Sequence, residues 1–195
     1  MPPHKNHAIT YCKCTIDLID EDTFSKLYRL VVKMRPFYQA SGLRWNPKLK
    51  KEEMRSRELV YILAWCNLSI IGFVSFAPDY DHVDQCTTSP THKATKINEI
   101  SYIWELHISS QHQRLGIAKT LIRMVIAHSS QAIQLRAFTC NRRALTFYSK
   151  MGFTELGTDI NPQILILVLY PHRTTEEMRL LQNSNKETHP RTTPP

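Results

Sequence analysis

Glycine is scarce, with only 5 residues in 195, and that scarcity removes one large class at once. A dinucleotide fold needs a glycine-rich fingerprint after its first strand, and none can be assembled here. Cysteine is sparse and odd in number, at 5: Cys12 and Cys14 make a C-x-C pair, while Cys66, Cys86 and Cys140 stand apart. Neither a disulfide framework nor metal-ligand spacing follows, so no metal is expected. Reduced thiols fit the nucleus and cytoplasm. Long apolar runs are missing too. The longest, Ile164 to Tyr170, is far below the roughly 20 residues of a membrane span, and no signal peptide is read. Pro2 excludes N-myristoylation. There is no internal repeat and no nucleic-acid motif, so sequence-specific DNA or RNA binding is not expected despite a net charge of +8.

What is present describes an ordinary soluble domain, with 42% hydrophobic and 22% charged residues. A chain of this length buries roughly 70% of its unfolded surface and needs no staple. Residues 1–8 read as a disordered tail, 9–172 as one domain, and 173–195 as a C-terminal helix (Thr174 to Gln182) followed by a second disordered tail. Tyr11 to Ile19 reads as a first strand. Asp20 and Asp22 cap a helix whose Phe24, Leu27, Tyr28, Val31 and Met34 share a face, and Pro36 bends or ends it near Tyr38. Asn46-Pro47 starts a helix, and the charged segment to Arg57 reads as mostly solvated. Glu58 to Cys66 and Ile70 to Ala77 flank Asn67-Leu68-Ser69 as a hairpin. The stretch from Pro78 to Asn98 is polar and irregular.

Glu99 to Ile108 is then the central strand, and a helix with Ile117, Leu121, Met124, Val125 and His128 on its inner stripe follows. Ala132 to Phe138 is a strand, Asn141 to Met151 a helix closed by Gly152, and Thr154 to Leu156 and Ile164 to Tyr170 are the last strands. The order predicts a mixed α/β sheet in one layered domain.

Chemistry concentrates between Tyr102 and Thr120. An apolar strand carries one carboxylate, Glu105, and runs into Gln113-Arg114-Leu115-Gly116-Ile117-Ala118-Lys119, a turn that opens a helix. Free amides at a helix start suit a pyrophosphate, and Gly116 can take dihedrals that other residues avoid. One strand and one helix later comes Asn141-Arg142-Arg143-Ala144-Leu145-Thr146-Phe147-Tyr148, ending in Gly152. Together these segments resemble the paired CoA-binding motifs of the GNAT N-acetyltransferase superfamily. The resemblance implies a sheet of about seven strands with flanking helices, its central strands splayed to admit acetyl-CoA. Leu106, His107 and Ile108 would then bond the pantetheine, and Gln113 with Arg114 to Lys119 would hold the pyrophosphate. Asn141 and Tyr148 would line the thioester end, with Tyr148 returning a proton to the thiolate. Ala118 stands where a second glycine is often found.

The acceptor side is similar to NatD, whose members acetylate the N-terminal serine of histones H-four and H-two-A. The residues that carry this are Tyr38-Gln39-Ala40-Ser41-Gly42-Leu43-Arg44-Trp45, Lys51-Glu52-Glu53-Met54, Leu63-Ala64-Trp65, Tyr102-Ile103-Trp104-Glu105 and Ala127-His128-Ser129-Ser130-Gln131. By that resemblance Glu105 is the general base, and Tyr38, Trp45, Tyr102 and Trp104 shape a slot for serine. Asp79 and Asp81 receive the histone arginine at the third position. Three positions depart from the pattern: Leu43-Arg44-Trp45 replaces Trp-Gly-Trp, Arg136 replaces a threonine, and 157–163 lacks a tyrosine.

A free α-amine has a reference pKa near 7.7–8.0 against ~10.4 for lysine, so deprotonating it at neutral pH is easier by roughly 3.5 kcal/mol. A carboxylate in an apolar strand is expected to gain basicity by desolvation. Because a histone tail is basic and so is this chain, recognition falls to local carboxylates, Asp79, Asp81 and Asp84. The expected partners are acetyl-CoA as co-substrate and histone N-terminal peptides, nascent on the ribosome or in the nucleus, with the enzyme itself a monomer away from any membrane. Two alternatives stay open: the same fold acting on lysine or small amines, and a non-catalytic acetyl-CoA-binding scaffold.

Overall fold

The computed structural model describes residues 8–80, 99–129 and 132–171, with backbone alone for 78–80 and 99. Seven strands form one sheet in the order β1-β2-β3-β4-β5-β7-β6. They are β1 (Ile9–Thr15), β2 (Val60–Cys66), β3 (Ser69–Tyr80), β4 (Glu99–Ile108), β5 (Ile133–Phe138), β6 (Thr154–Thr158) and β7 (Ile164–Leu169). All neighbours are antiparallel except β4 and β5. The mixed α/β sheet of seven strands is therefore as the sequence implies.

The helices start where short polar side chains cap free amides. Asp20 accepts from the Thr23 amide at 2.7 Å and opens α1 (Glu21–Val31). The buried face is Phe24, Leu27 and Val31, as the periodicity requires. Pro36 sits in the first turn of a new helix, α2 (Arg35–Ala40), after a 3-10 turn over Val32–Met34. Its missing N–H is harmless there. Asn46 caps α3 (Pro47–Met54) through the Lys48 and Leu49 amides, both at 3.1 Å. Next come α4 (Ile117–His128) and α5 (Arg142–Lys150), the latter capped by Asn141 and ended by Gly152 at φ +92°.

Alternation along the strands sends side chains to two cores. Ile62, Val74, Phe76 and Ile103 meet Leu121 and Val125 of α4, while Tyr61, Leu63 and Phe73 meet Leu27 of α1 and Met54 of α3.

Two expectations are corrected. The first strand ends at Thr15, and Ile16–Leu18 is a 3-10 turn rather than its continuation. β3 runs on through Pro78 to Tyr80, paired with Ile100 and Glu99, because the irregular composition begins later than its first proline. The charged segment after Pro47 is mostly exposed, as expected, with Met54 buried and the Lys50 side chain largely so. The expected helix over Thr174–Gln182 lies outside the described residues.

Candidate active site

Two irregularities of β4 build the site. The first is a bulge: Ser75 pairs with Glu105 and Phe76 with Ile103, leaving Trp104 as the extra residue. A bulge inserts one residue and so reverses the alternation beyond it. Ile103 faces α4, and after the bulge Leu106 and Ile108 pack on that same side. Glu105 and His107 turn instead toward α1 to α3, where strict alternation from Ile103 would have denied them a place.

The second irregularity is a parting. β4 and β5 pair only at Ser101–Ile133, Tyr102–Gln134 and Ile103–Leu135. Beyond that point β5 pairs with β7 alone, and Leu106 to Ile108 have no β5 partner. On its other edge β4 is pressed against β3, and Gly72 makes this possible. A Cβ there would lie 2.6 Å from Ile108 Cδ1 and 2.8 Å from the His107 carbonyl oxygen.

Within the wedge is a cavity of about 250 Å³. Its walls include Tyr38, Tyr102, Trp104, Arg136, Asn141 and Tyr148, with Glu105, Leu106, His107 and Lys50 toward β4 and α3. Glu105 is held on both oxygens. Oε1 accepts from Lys50 Nζ at 3.2 Å, and Oε2 lies 2.5 Å from His107 Nε2. Lys50 also meets Glu53 at 2.5 Å, and the His107 ring packs on Phe73 with centroids 5.6 Å apart. The side chains of Lys50, Glu105 and His107 are only 11–12% exposed.

Burial raises the pKa of Glu105, but the His107 hydrogen bond and the charges of His107 and Lys50 outweigh it, so the net shift is downward. The expected gain in basicity is thus corrected: Glu105 is firmly ionised and a weaker base than an exposed carboxylate. Lys50 answers in kind. Burial alone would lower its pKa, yet Glu105 above all raises it. Burial also raises the Tyr148 pKa, and the Glu105 charge adds to the effect. Its phenol therefore stays protonated and able to donate.

The acceptor-side wall is aromatic. Tyr38 packs edge-on to Phe138 of β5 at 5.0 Å and to Trp45 at 5.1 Å. Trp45 stands behind Tyr38 and does not line the cavity. Trp104, 47% exposed, lies edge-on to Tyr102 at 5.4 Å. Arg136 sits 5.7 Å from the Tyr102 ring centroid, and Asp159 of the β6–β7 loop pairs with it at 2.7 Å. The same loop is latched by Asn161 Nδ2 donating to the Ser41 carbonyl at 3.0 Å. Asp79 lies opposite Ile100 in the β3–β4 register. Asp81 and Asp84 lie outside the described residues.

At the wedge's open end the expected anion turn has the right backbone. Gly116 is left-handed at φ +80°, Arg114 is at φ +69°, and α4 begins with no side-chain cap. The first-turn amides of Ile117, Ala118 and Lys119 are thereby left for an incoming acceptor. Gln113 braces the turn. It donates to the Ile108 carbonyl at 3.3 Å and accepts from Arg143 at 3.0 Å. A free strand edge, a narrow cavity and an uncapped helix start in line fit an extended thioester carrier ending in a pyrophosphate.

Two participants escaped sequence reasoning. Lys50 was hidden in a charged run, although it lies one helical turn before buried Met54. The side chain of His107 was masked by its position in the strand, which points to backbone pairing alone.

Comparison with known proteins agrees with this geometry. The profile of the Acetyltransferase (GNAT) family matches residues 24–153. Among solved structures, Arabidopsis thaliana NAA60 in complex with a bisubstrate analogue superposes with a TM-score of 0.58 at 19% identity, over 83% of this chain and 99% of that one. The same protein with acetyl-CoA gives 0.58 at 18%, over 83% and 98%. The PaiA N-acetyltransferase of Thermoplasma acidophilum with coenzyme A gives 0.57 at 15%, over 84% and 99%. At such identities the likeness speaks for the fold.

Proposed function

The chain belongs to the GNAT acetyltransferase family, and from that premise we propose that it is an N-terminal α-amine acetyltransferase of NatD type. It transfers acetyl from acetyl-CoA to the N-terminal serine of histone tails of the Ser-Gly-Arg-Gly kind. The observation that carries this reading is the ionised Glu105 in a narrow aromatic cavity, where β4 and β5 part. Acetyl-CoA lies along the free edge of β4 with its pyrophosphate at the start of α4, and the peptide enters past Tyr38, Tyr102 and Trp104.

The reaction needs few parts. The α-ammonium gives up a proton toward Glu105, and the freed nitrogen attacks the thioester carbonyl. The C–S bond breaks as the leaving thiolate takes a proton from Tyr148, whose hydroxyl has no hydrogen-bond partner among the described residues, and the second proton leaving nitrogen restores that phenol. Direct transfer in a ternary complex follows, since among the described residues no cysteine or serine lines the cavity to hold the acetyl group. Asp79 and Asp81 grip the arginine at the third position.

Mass spectrometry of a Ser-Gly-Arg-Gly peptide incubated with acetyl-CoA tests the proposal. One acetyl group on the α-nitrogen is expected, with no product from the same peptide blocked at its N-terminus. Acetylation of a lysine peptide in preference to the free terminus would transfer the reading to a lysine-directed enzyme of the same fold.

A further inference from the structure

Resting on the proposed α-amine acetylation, we propose that His107 shares with Glu105 the proton leaving the acceptor, while Lys50 is the fixed charge that keeps Glu105 an acceptor. A carboxylate gripped by an ammonium and an imidazole is easily ionised but holds a proton poorly. The acceptor's α-ammonium is a far weaker acid than such a carboxyl group. A base useful at neutral pH must retain what it receives, and imidazole is the side chain whose ordinary titration lies nearest that pH.

Such a ring is in place. His107 Nε2 lies 2.5 Å from Glu105 Oε2, both residues line the same cavity, and the His107 ring packs on Phe73. The bulge at Trp104 is what sets both side chains on one face. The groups facing the pair are Lys50 and Glu53 from α3, Tyr38 from α2, Tyr61 from β2, Tyr102 of β4 and Tyr148 from α5. Lys50 is protonated and tied to Glu53, and the tyrosines whose shifts are resolved (Tyr38, Tyr61 and Tyr148) are all shifted upward. His107 is the imidazole that the fold sets directly against Glu105.

The proton count supports two holders. An α-ammonium sheds two protons in becoming an amide, and the departing thiolate recovers one. The first passes to the Glu105–His107 pair before nitrogen attacks, leaving an imidazolium bonded to a carboxylate. The second leaves nitrogen as the C–S bond breaks and restores the phenol of Tyr148, which protonates the thiolate. The pair then returns its proton to solvent.

The test uses the full chain bound to acetyl-CoA or coenzyme A. Imidazole resonances of His107 are followed through a pH titration in the wild type, in Glu105→Gln and in Lys50→Met. Loss of the carboxylate should lower the His107 midpoint by half a unit or more, and loss of Lys50 should raise it. In parallel, coenzyme A release is measured from pH 5.5 to 9 with a free-terminus peptide, a blocked lysine peptide and a small amine. His107→Gln keeps a donor for Glu105 but cannot take up a proton. It should lower kcat at least tenfold and change the acid limb, with KM for acetyl-CoA within twofold. His107 midpoints indifferent to Glu105, or a His107→Gln profile that overlays the wild type, would overturn the inference. If only a different amine is acetylated, the acceptor assignment fails, and the His107 readouts, taken with that amine, still decide. An enzyme that acetylates none of the three overturns both.

Discussion

Glu105 shows how far a single residue depends on its company. Buried and alone it would have been a strong base; between Lys50 and His107 it is an ionised anchor. Its depressed pKa stabilises the fold above the ordinary carboxylate value of 4.5, and that contribution is lost as pH falls through the folded value. Glu105→Gln should therefore lower Tm at pH 7 and flatten its dependence on pH below about 4.5, as thermal melts across pH can record. The same substitution should cut kcat at pH 7 by at least about 100-fold, a general-base effect, while calorimetry finds acetyl-CoA affinity nearly unchanged. Lys50→Met removes a charge that lowers the Glu105 pKa. The acid limb of the kcat/KM profile should then move to higher pH, and an unmoved limb would remove Lys50 from the site.

Elements tell a different story, because some carry their instructions locally and others do not. Asp20, Asn46, Asn141 and Gly152 announce helix ends with short-range chemistry, and each stands where a reader of the chain expects it. The β4 bulge has no such announcement. Tyr102 to Ile108 reads as an uninterrupted apolar strand, and the extra residue shows only once β3 is laid beside it. For the same reason Glu105 was legible as a lone carboxylate, whereas its partners were not: Lys50 comes from a helix far along the chain, and the face of His107 depends on the bulge. Gly72 is the element-scale counterpart. Gly72→Ala meets the fixed carbonyl of His107, so β3 must back away from β4. A loss of about 2 kcal/mol by denaturant titration is expected, with weaker acetyl-CoA binding as the free edge shifts. Gly116→Ala meets no obstruction but is held at φ +80°. It should cost about 1 kcal/mol in stability and lower acetyl-CoA affinity several-fold, measured in the same titrations.

For the whole molecule, charge poses the sharper question. A chain of net charge +8 repels a basic tail at long range, so on the proposed reading a few carboxylates close by have to supply the attraction. Replacing Asp79 and Asp81 together by Asn should raise KM for a peptide with arginine third and leave an alanine-third peptide unaffected. Equal loss for both peptides would assign these residues to the fold instead. Arg136 is already paired with Asp159, so its charge burdens the mouth less than its sequence position suggested.

Among the described residues, three rungs join one half of the sheet to the other. The angle between those halves is accordingly set from behind, by Ile103 and Leu135 packing with Leu121 and Val125. Trimming that backing, as in Leu121→Ala, removes nothing that either reactant touches. It would nonetheless let the aperture relax, and affinity for the acetyl donor would drift with the volume of a side chain that never meets it.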